Sequence, residues 1–151
     1  REHLLGHIKQ TGISDVVFIS GDVHTFVAGD VCANMGSGPP VAPEFACGSI
    51  TSPTVAEVNF RMPGRVRIPG NDVQPFTPPQ VMAHYRALNP WFDQLDLERH
   101  GYGIAAASRS TFNVEFKRLW TIKQRNYGTL PPDGFRWQVK RGQASIRGTA
   151  F

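Results

Sequence analysis

The apolar run Val16-Val17-Phe18-Ile19 passes through Ser20 into Gly21-Asp22-Val23-His24 with no polar residue inside the run itself. Apolar residues without polar alternation are the pattern of a strand covered on both faces, as in α/β folds, and they place such a strand over residues 15–20. Gly21 lets the backbone turn sharply after it. On an extended segment Asp22 and His24, at i and i+2, share one side. A hard carboxylate oxygen beside a neutral imidazole nitrogen can hold metal. In a two-metal centre, with ions roughly 3.5–4 Å apart, each side chain can serve one ion. Spacing alone is equally consistent with a turn Asp beside a hydrogen-bonded His.

The remainder of the chain supplies a frame for that step. Leu4, Leu5 and Ile8 share one face of a helix over residues 1–10, which Thr11-Gly12 ends. A second strand is expected over 25–32. Pro and Gly punctuate roughly residues 34–79, which read as long ordered loops around a short strand at 44–47. Thr77-Pro78-Pro79 predicts a helix start, and Asn89-Pro90 predicts its end near Leu88. Trp91, Phe92, Leu95 and Leu97 form an apolar cluster that needs a partner surface. Residues 102–107 and 111–120 read as a hairpin turned at Ser108-Arg109-Ser110. Its second strand sets Phe112, Val114, Phe116 and Trp120 on one face and Asn113, Glu115 and Lys117 on a wet one. Phe135, Trp137 and Val139 predict a short edge strand inside a basic surface tail over about 128–151.

Composition limits the class. A chain of 151 residues, 40% hydrophobic and 19% charged, is long enough for one domain with a real core and is not of a disordered type. It holds no apolar run long enough to span a bilayer. Two cysteines, Cys32 and Cys47, make no disulfide framework, and both lie in apolar stretches that suit buried thiols. The net charge of +4 favours anionic partners only mildly.

Several stretches together are similar to a known family. Val17-Phe18-Ile19-Ser20-Gly21-Asp22-Val23-His24 resembles a late motif of the alkaline phosphatases of the D (PhoD) type, a branch of the calcineurin-like metallophosphoesterases. Glu44-Phe45-Ala46-Cys47-Gly48-Ser49-Ile50-Thr51-Ser52-Pro53 resembles the loop after that family's next strand. Asn89-Pro90-Trp91, and then Asp96-Leu97-Glu98-Arg99-His100-Gly101-Tyr102-Gly103, resemble its Asn-Pro and Gly-Tyr elements, and residues 112–120 the strand that follows. The resemblance runs over about residues 15–145. It implies an α/β fold, the C-terminal half of a four-layer α/β/β/α sandwich with a mixed sheet, few helices and long loops. It also implies hydrolysis of phosphate mono- or diesters by water activated at two metals. The broader superfamily has Gly-His-x-His at this step. Asp22 in place of the first His is the branch's own variation, and it suits a harder ion such as Ca²⁺ beside iron at His24.

That superfamily carries its other ligands upstream, in Asp, Gly-Asp, Gly-Asn and His segments, and none precedes residue 15. Gly29-Asp30 and Gly70-Asn71-Asp72 echo those segments but follow the Asp22/His24 step. The expectation is a C-terminal part that supplies half of a metal centre. An N-terminal segment or complementary chain completes it, and alone the chain binds metal poorly and hydrolyses little. A periplasmic or extracellular location is implied by resemblance only.

Further candidates are Asn89, as a phosphate contact or a helix end, and His100, near phosphate or as a surface cap before a strand. Ser49, Thr51 and Ser52 can donate to phosphate or ligand oxygens, or brace their own loop. His3 and His7 are spaced to share a metal but have no Glu between them. His84 is expected to be packed or exposed without a role. The alternative to a phosphoesterase is a non-catalytic basic β-rich module for an anionic partner or polymer, with the tail cations around Trp137 as a thin nucleic-acid signal.

Overall fold

The computed structural model describes residues 1–34, 37–60, 78–126, 128–132 and 134–151. Its elements run α1 (Glu2–Thr11), β1 (Phe18–Ser20), β2 (Phe26–Asn34), β3 (Ser37–Ala46), α2 (Val55–Phe60), α3 (Pro78–Leu88), β4 (Phe92–Asp96), β5 (Gly101–Ala107), β6 (Thr111–Arg118) and β7 (Arg136–Lys140). Two sheets result, ordered β1-β3-β2-β4 and β5-β6-β7. The first is mixed, because β1 runs parallel to β3 while the other pairs are antiparallel. This is the expected mixed α/β arrangement with few helices.

The sheets face each other across the main core. Phe26, Ala28 and Phe45 of the first sheet pack with Val114, Phe116, Trp137 and Val139 of the second, joined by Phe135 and Ile146. Alternation explains the two faces of β2. Phe26, Ala28 and Asp30 are buried, while Val27 packs on a second cluster of Ala56, Val81, Leu95 and Leu97. That cluster seats α2 and α3 against the outer side of β2 and β4, so helices, first sheet and second sheet form three layers. In α1, Leu5 and Ile8 are buried and Gly12 ends the helix at φ 65°, as its sequence predicts, but Leu4 is exposed.

Three expectations need correction. The strand over 15–20 shrinks to Phe18–Ser20, lies at the sheet edge, and leaves Ile19 63% exposed, so it is not covered on both faces. Asp15 itself is excluded from the strand by its backbone. The residue takes φ 64°, off the extended region, and its carboxylate binds Arg141 and the Gly142 N–H.

The stretch read as loops around a strand at 44–47 instead holds the ten-residue β3, which contains Pro39, Pro40 and Pro43, and also α2. Proline removes a ladder donor and is confined to edges and bulges. Here β1 reaches β3 only along Glu44, Phe45 and Ala46, so the proline-bearing part has a strand neighbour on one side alone. Its register also shifts near Cys32. Thr77 and Gly70-Asn71-Asp72 lie outside the described residues.

The apolar cluster finds the partner surface it was expected to need, since Phe92, Leu95 and Leu97 pack with Ala56 and Val81, and Phe92 and Leu95 lie on β4, which pairs with β2. The basic tail, finally, is no surface appendage. Ile146 is fully buried, Ala150 bridges Trp137, and Asp30 accepts hydrogen bonds from Ser145 Oγ (2.6 Å) and Ile146 N (2.9 Å). Three of its cations are engaged too, Arg136 with Glu115, Arg141 with Asp15 and Arg147 with the Pro90 carbonyl. Trp137 is fully buried among Phe rings, which removes the nucleic-acid reading of that tail. The short strand itself forms as expected, as the outer strand β7, which carries Trp137 and Val139 with Phe135 just before it, and all three are buried.

Asp30→Ala strands the buried Ile146 amide and frees the last turn of chain. It is expected to cost about 2 kcal/mol in urea unfolding and to hasten proteolytic trimming after residue 141. Trimming at the wild-type rate would contradict this anchoring.

Candidate functional site

Asp22 and His24 take φ values of 69° and 52°. The left-handed region is uncommon for residues other than glycine, and Asp and His are among the few that visit it. The segment between β1 and β2 is therefore a doubly bent turn, and the extended i, i+2 alternation expected of it does not exist. Kinked backbone, not pleat, aims these two side chains. Such strain costs on the order of 1–3 kcal/mol per residue and collects at functional sites.

Asp22 is exposed, and its carboxylate has no hydrogen-bond partner among the described residues. His24 is half-buried, with Nδ1 at 3.1 Å from the Pro53 carbonyl oxygen. A carbonyl only accepts, so Nδ1 carries the hydrogen, and whenever the ring is neutral its lone pair is at Nε2. A ring held by one nitrogen through a backbone carbonyl is the arrangement in which metal-ligating histidines are found.

The turn is anchored from below. Thr25 is buried and its hydroxyl donates to the Asp96 carbonyl. Phe26, fully buried, lies against both Gly48 and Gly101, where an added Cβ would fall 2.8 and 3.0 Å from the ring. Three stretches picked out in the sequence thus converge, the Asp22/His24 turn, the loop 48–53 and the segment at 100–103. Ser49 ties the second to the third, its carbonyl accepting from Gly101 N at 2.9 Å.

The Ser49 hydroxyl donates to the Ser52 carbonyl, so Ser49 braces its own loop. Thr51 is exposed and Ser52 half-buried in that loop. His100 is 7% exposed, not a surface cap, and its Nε2 meets Glu57 Oε2 at 3.1 Å. Asn89 stands apart. Its amide donates to the Tyr85 carbonyl at 2.8 Å and its backbone N–H also returns to α3, so it ends that helix. His3 and His7 are exposed on α1, and His84 is half-buried on α3.

Cys32 and Cys47 are free and half-buried, and burial pushes the Cys47 thiol above its usual pKa, which keeps it a neutral packing group. On β6, a hydrogen bond from Lys117, with Arg136 beside it, holds the Glu115 carboxyl below the ordinary range.

Thr54 and Glu57 were hidden in a stretch that reads as loop. Their signal is the spacing Thr54-Val55-Ala56-Glu57, a capping box. Glu57 N donates to Thr54 Oγ1 (3.2 Å) and Thr54 N donates to Glu57 Oε2 (3.1 Å), which starts α2 immediately after Pro53. Among the described residues no group of three or more His, Cys, Asp and Glu side chains is placed to hold a metal.

A family model of the PhoD-like phosphatases matches residues 1–116. Among solved structures, one of PhoD aligns with a TM-score of 0.69 at 15% sequence identity, over 97% of this chain and 24% of that one. The likeness is one of fold, and this chain spans about a quarter of that structure's length. No curated protein matches the chain.

Proposed function

The chain belongs to the PhoD-like phosphatase family, and from that footing we propose that it is the C-terminal part of a metal-dependent phosphoric ester hydrolase. One observation carries the proposal. The His24 ring is held by Nδ1 on the Pro53 carbonyl, with Nε2 open, on the same turn as the uncommitted Asp22 carboxylate.

The donor chemistry fits the metals that the family resemblance implies. His24 would hold an ion such as iron, and Asp22 a harder one such as Ca²⁺. When bound, such ions polarise a phosphoryl oxygen and acidify water. The protein's own contribution is orientation. Pro53 fixes the His24 ring, Thr25 and Phe26 hold the turn, and Thr51 is exposed on the adjoining loop, within the reach of a phosphate ester's oxygens in this reading. Two ligands do not complete a centre. The remainder would come from an N-terminal segment or complementary chain, which would also supply the outer layer of an α/β/β/α sandwich. A periplasmic or extracellular setting accords with this reading. No helix among the described residues is long and apolar enough to cross a membrane.

The alternative of a basic anion-binding module is disfavoured by Arg118, Arg136 and Arg141, each of which is paired with a carboxylate.

The test is metal analysis and a chromogenic phosphoester assay on the full-length protein. Replacing an outer partner of a metal ligand costs roughly 10–100-fold in affinity or activity, so His24→Ala and Asp22→Ala are each expected to lose about tenfold or more of both, with unchanged circular dichroism. Wild-type turnover in both variants would sink the assignment.

A further inference from the structure

We infer that Thr54, Glu57 and His100 are positioning residues for His24, acting through one peptide unit to set which nitrogen of its ring carries the hydrogen. The inference rests on the reading of His24 as a metal ligand, and it adds how the fold prepares that ligand before any metal arrives.

The Pro53–Thr54 peptide has the Pro53 carbonyl on one side and the Thr54 N–H on the other. A trans peptide is planar, so these two groups point in opposite directions and turn together; no peptide bond among the described residues is cis. Both ends of this unit are engaged. The carbonyl accepts from His24 Nδ1 at 3.1 Å, and the N–H donates to Glu57 Oε2 at 3.1 Å. Rotation that releases Glu57 therefore also swings the carbonyl away from His24.

Glu57 is in turn fixed from two directions. Its own backbone N–H donates to Thr54 Oγ1, and the same Oε2 that holds Thr54 N faces His100 Nε2 at 3.1 Å. Thr54 is fully buried and His100 nearly so. With a carboxylate at Nε2, the hydrogen of the neutral His100 ring sits there, and its buried Nδ1, without a partner among the described residues, is left as the acceptor nitrogen. That choice leaves an unfilled lone pair instead of a buried, unpaired donor, the rarer defect in proteins. The backbone of His100 is pinned by Leu119 N to its carbonyl at 2.7 Å. A line of fixed groups thus runs from Leu119, just past β6, through His100, Glu57 and the Pro53–Thr54 peptide to His24, and the two neutral histidine rings carry opposite tautomers.

The experiment is ¹⁵N NMR of ring nitrogens in the full chain, labelled at histidine, without metal or substrate and at a pH where both rings are neutral. The expected result is Nδ1–H on His24 and Nε2–H on His100. Glu57→Ala is expected to turn His24 over to a majority of Nε2–H, the form a free neutral imidazole prefers in water. Glu57→Gln keeps one oxygen able to accept from both Thr54 and His100, and should restore Nδ1–H. Thr54→Val, which removes only the hydroxyl, reads the same coupling in a gentler background and should give a mixture. A wild-type His24 with Nε2–H, or unchanged His24 tautomers in both Glu57→Ala and Thr54→Val, would overturn the inference. Neither result depends on turnover, so an inactive protein with the expected tautomers would count against the phosphatase reading alone.

Discussion

Trp137→Ala is expected to remove about 3–5 kcal/mol of folding stability, the usual range for deleting a large buried aromatic side chain. Trp137 is fully buried at the meeting of the two sheets. Its ring centroid lies 5.1 Å from Phe116, 5.4 Å from Phe45 and 6.1 Å from Phe135, in tilted or edge-on contacts, so the substitution empties the centre of an aromatic cluster. The indole also does polar work, since Nε1 donates to Asp93 Oδ2 at 2.9 Å and so ties β7 to β4 of the opposite sheet. Domains of this size have about 5–15 kcal/mol in total, so the loss would reach a large share of the whole. Urea denaturation followed by circular dichroism measures it. Trp137→Phe separates the two contributions, because it retains most of the apolar volume and removes only the hydrogen bond to Asp93 Oδ2, whose half-buried carboxylate keeps the Gly148 N–H on Oδ1, at a cost of about 1 kcal/mol. An Ala variant destabilised by less than about 1 kcal/mol would mean that the sheets do not pack through this residue.

Little of this was local enough to be legible in the chain. Alternation in Phe112, Val114 and Phe116 gave the inner face of β6 because each residue reports on its own strand. The same alternation failed at Trp120, 64% exposed beyond the end of that strand, where Arg99 lies over its ring. Leu5, Ile8 and Gly12 marked a helix and its end for the same local reason. The prolines of β3 misled because a proline rule needs to know which strand edge is unpaired, and that is decided by where β1 stops. Asp30 looked like a stray metal-type motif, yet its carboxylate anchors Ile146, 116 positions away, a link without any periodic trace. The site shows the same division. Asp22 and His24 were identifiable by residue type, and the loop ending at Pro53 by resemblance. The left-handed backbone that aims both side chains, and the carbonyl of Pro53 that orients the ring, arise only when distant segments meet.

Gly101→Ala is expected to cost about 3 kcal/mol and to disturb the site as well as the fold. Gly101 opens β5 opposite Arg118 with φ 154°, where side chains are rarely tolerated. A Cβ there would stand 1.9 Å from the Lys117 carbonyl oxygen and 3.0 Å from the Phe26 ring. The carbonyl is backbone of a paired strand, so relief requires β5 to move off β6. That shift drags two site connections with it, the bond from Gly101 N to the Ser49 carbonyl and the neighbouring His100 that supports Glu57. The control lies two residues on. At Gly103 an added Cβ meets only Cys47 Sγ at 3.5 Å and Phe116 Cδ1 at 3.6 Å, ordinary contact distances, so Gly103→Ala should change stability by no more than about 1 kcal/mol. Paired urea titrations of the two variants decide the matter. Equal midpoints would show that the close approach at Gly101, and with it the support of the loop 48–53 from β5, does not govern stability. A selective loss at Gly101 would place the rigidity of the His24 environment in the strand pairing beneath it, not in the turn that carries the histidine.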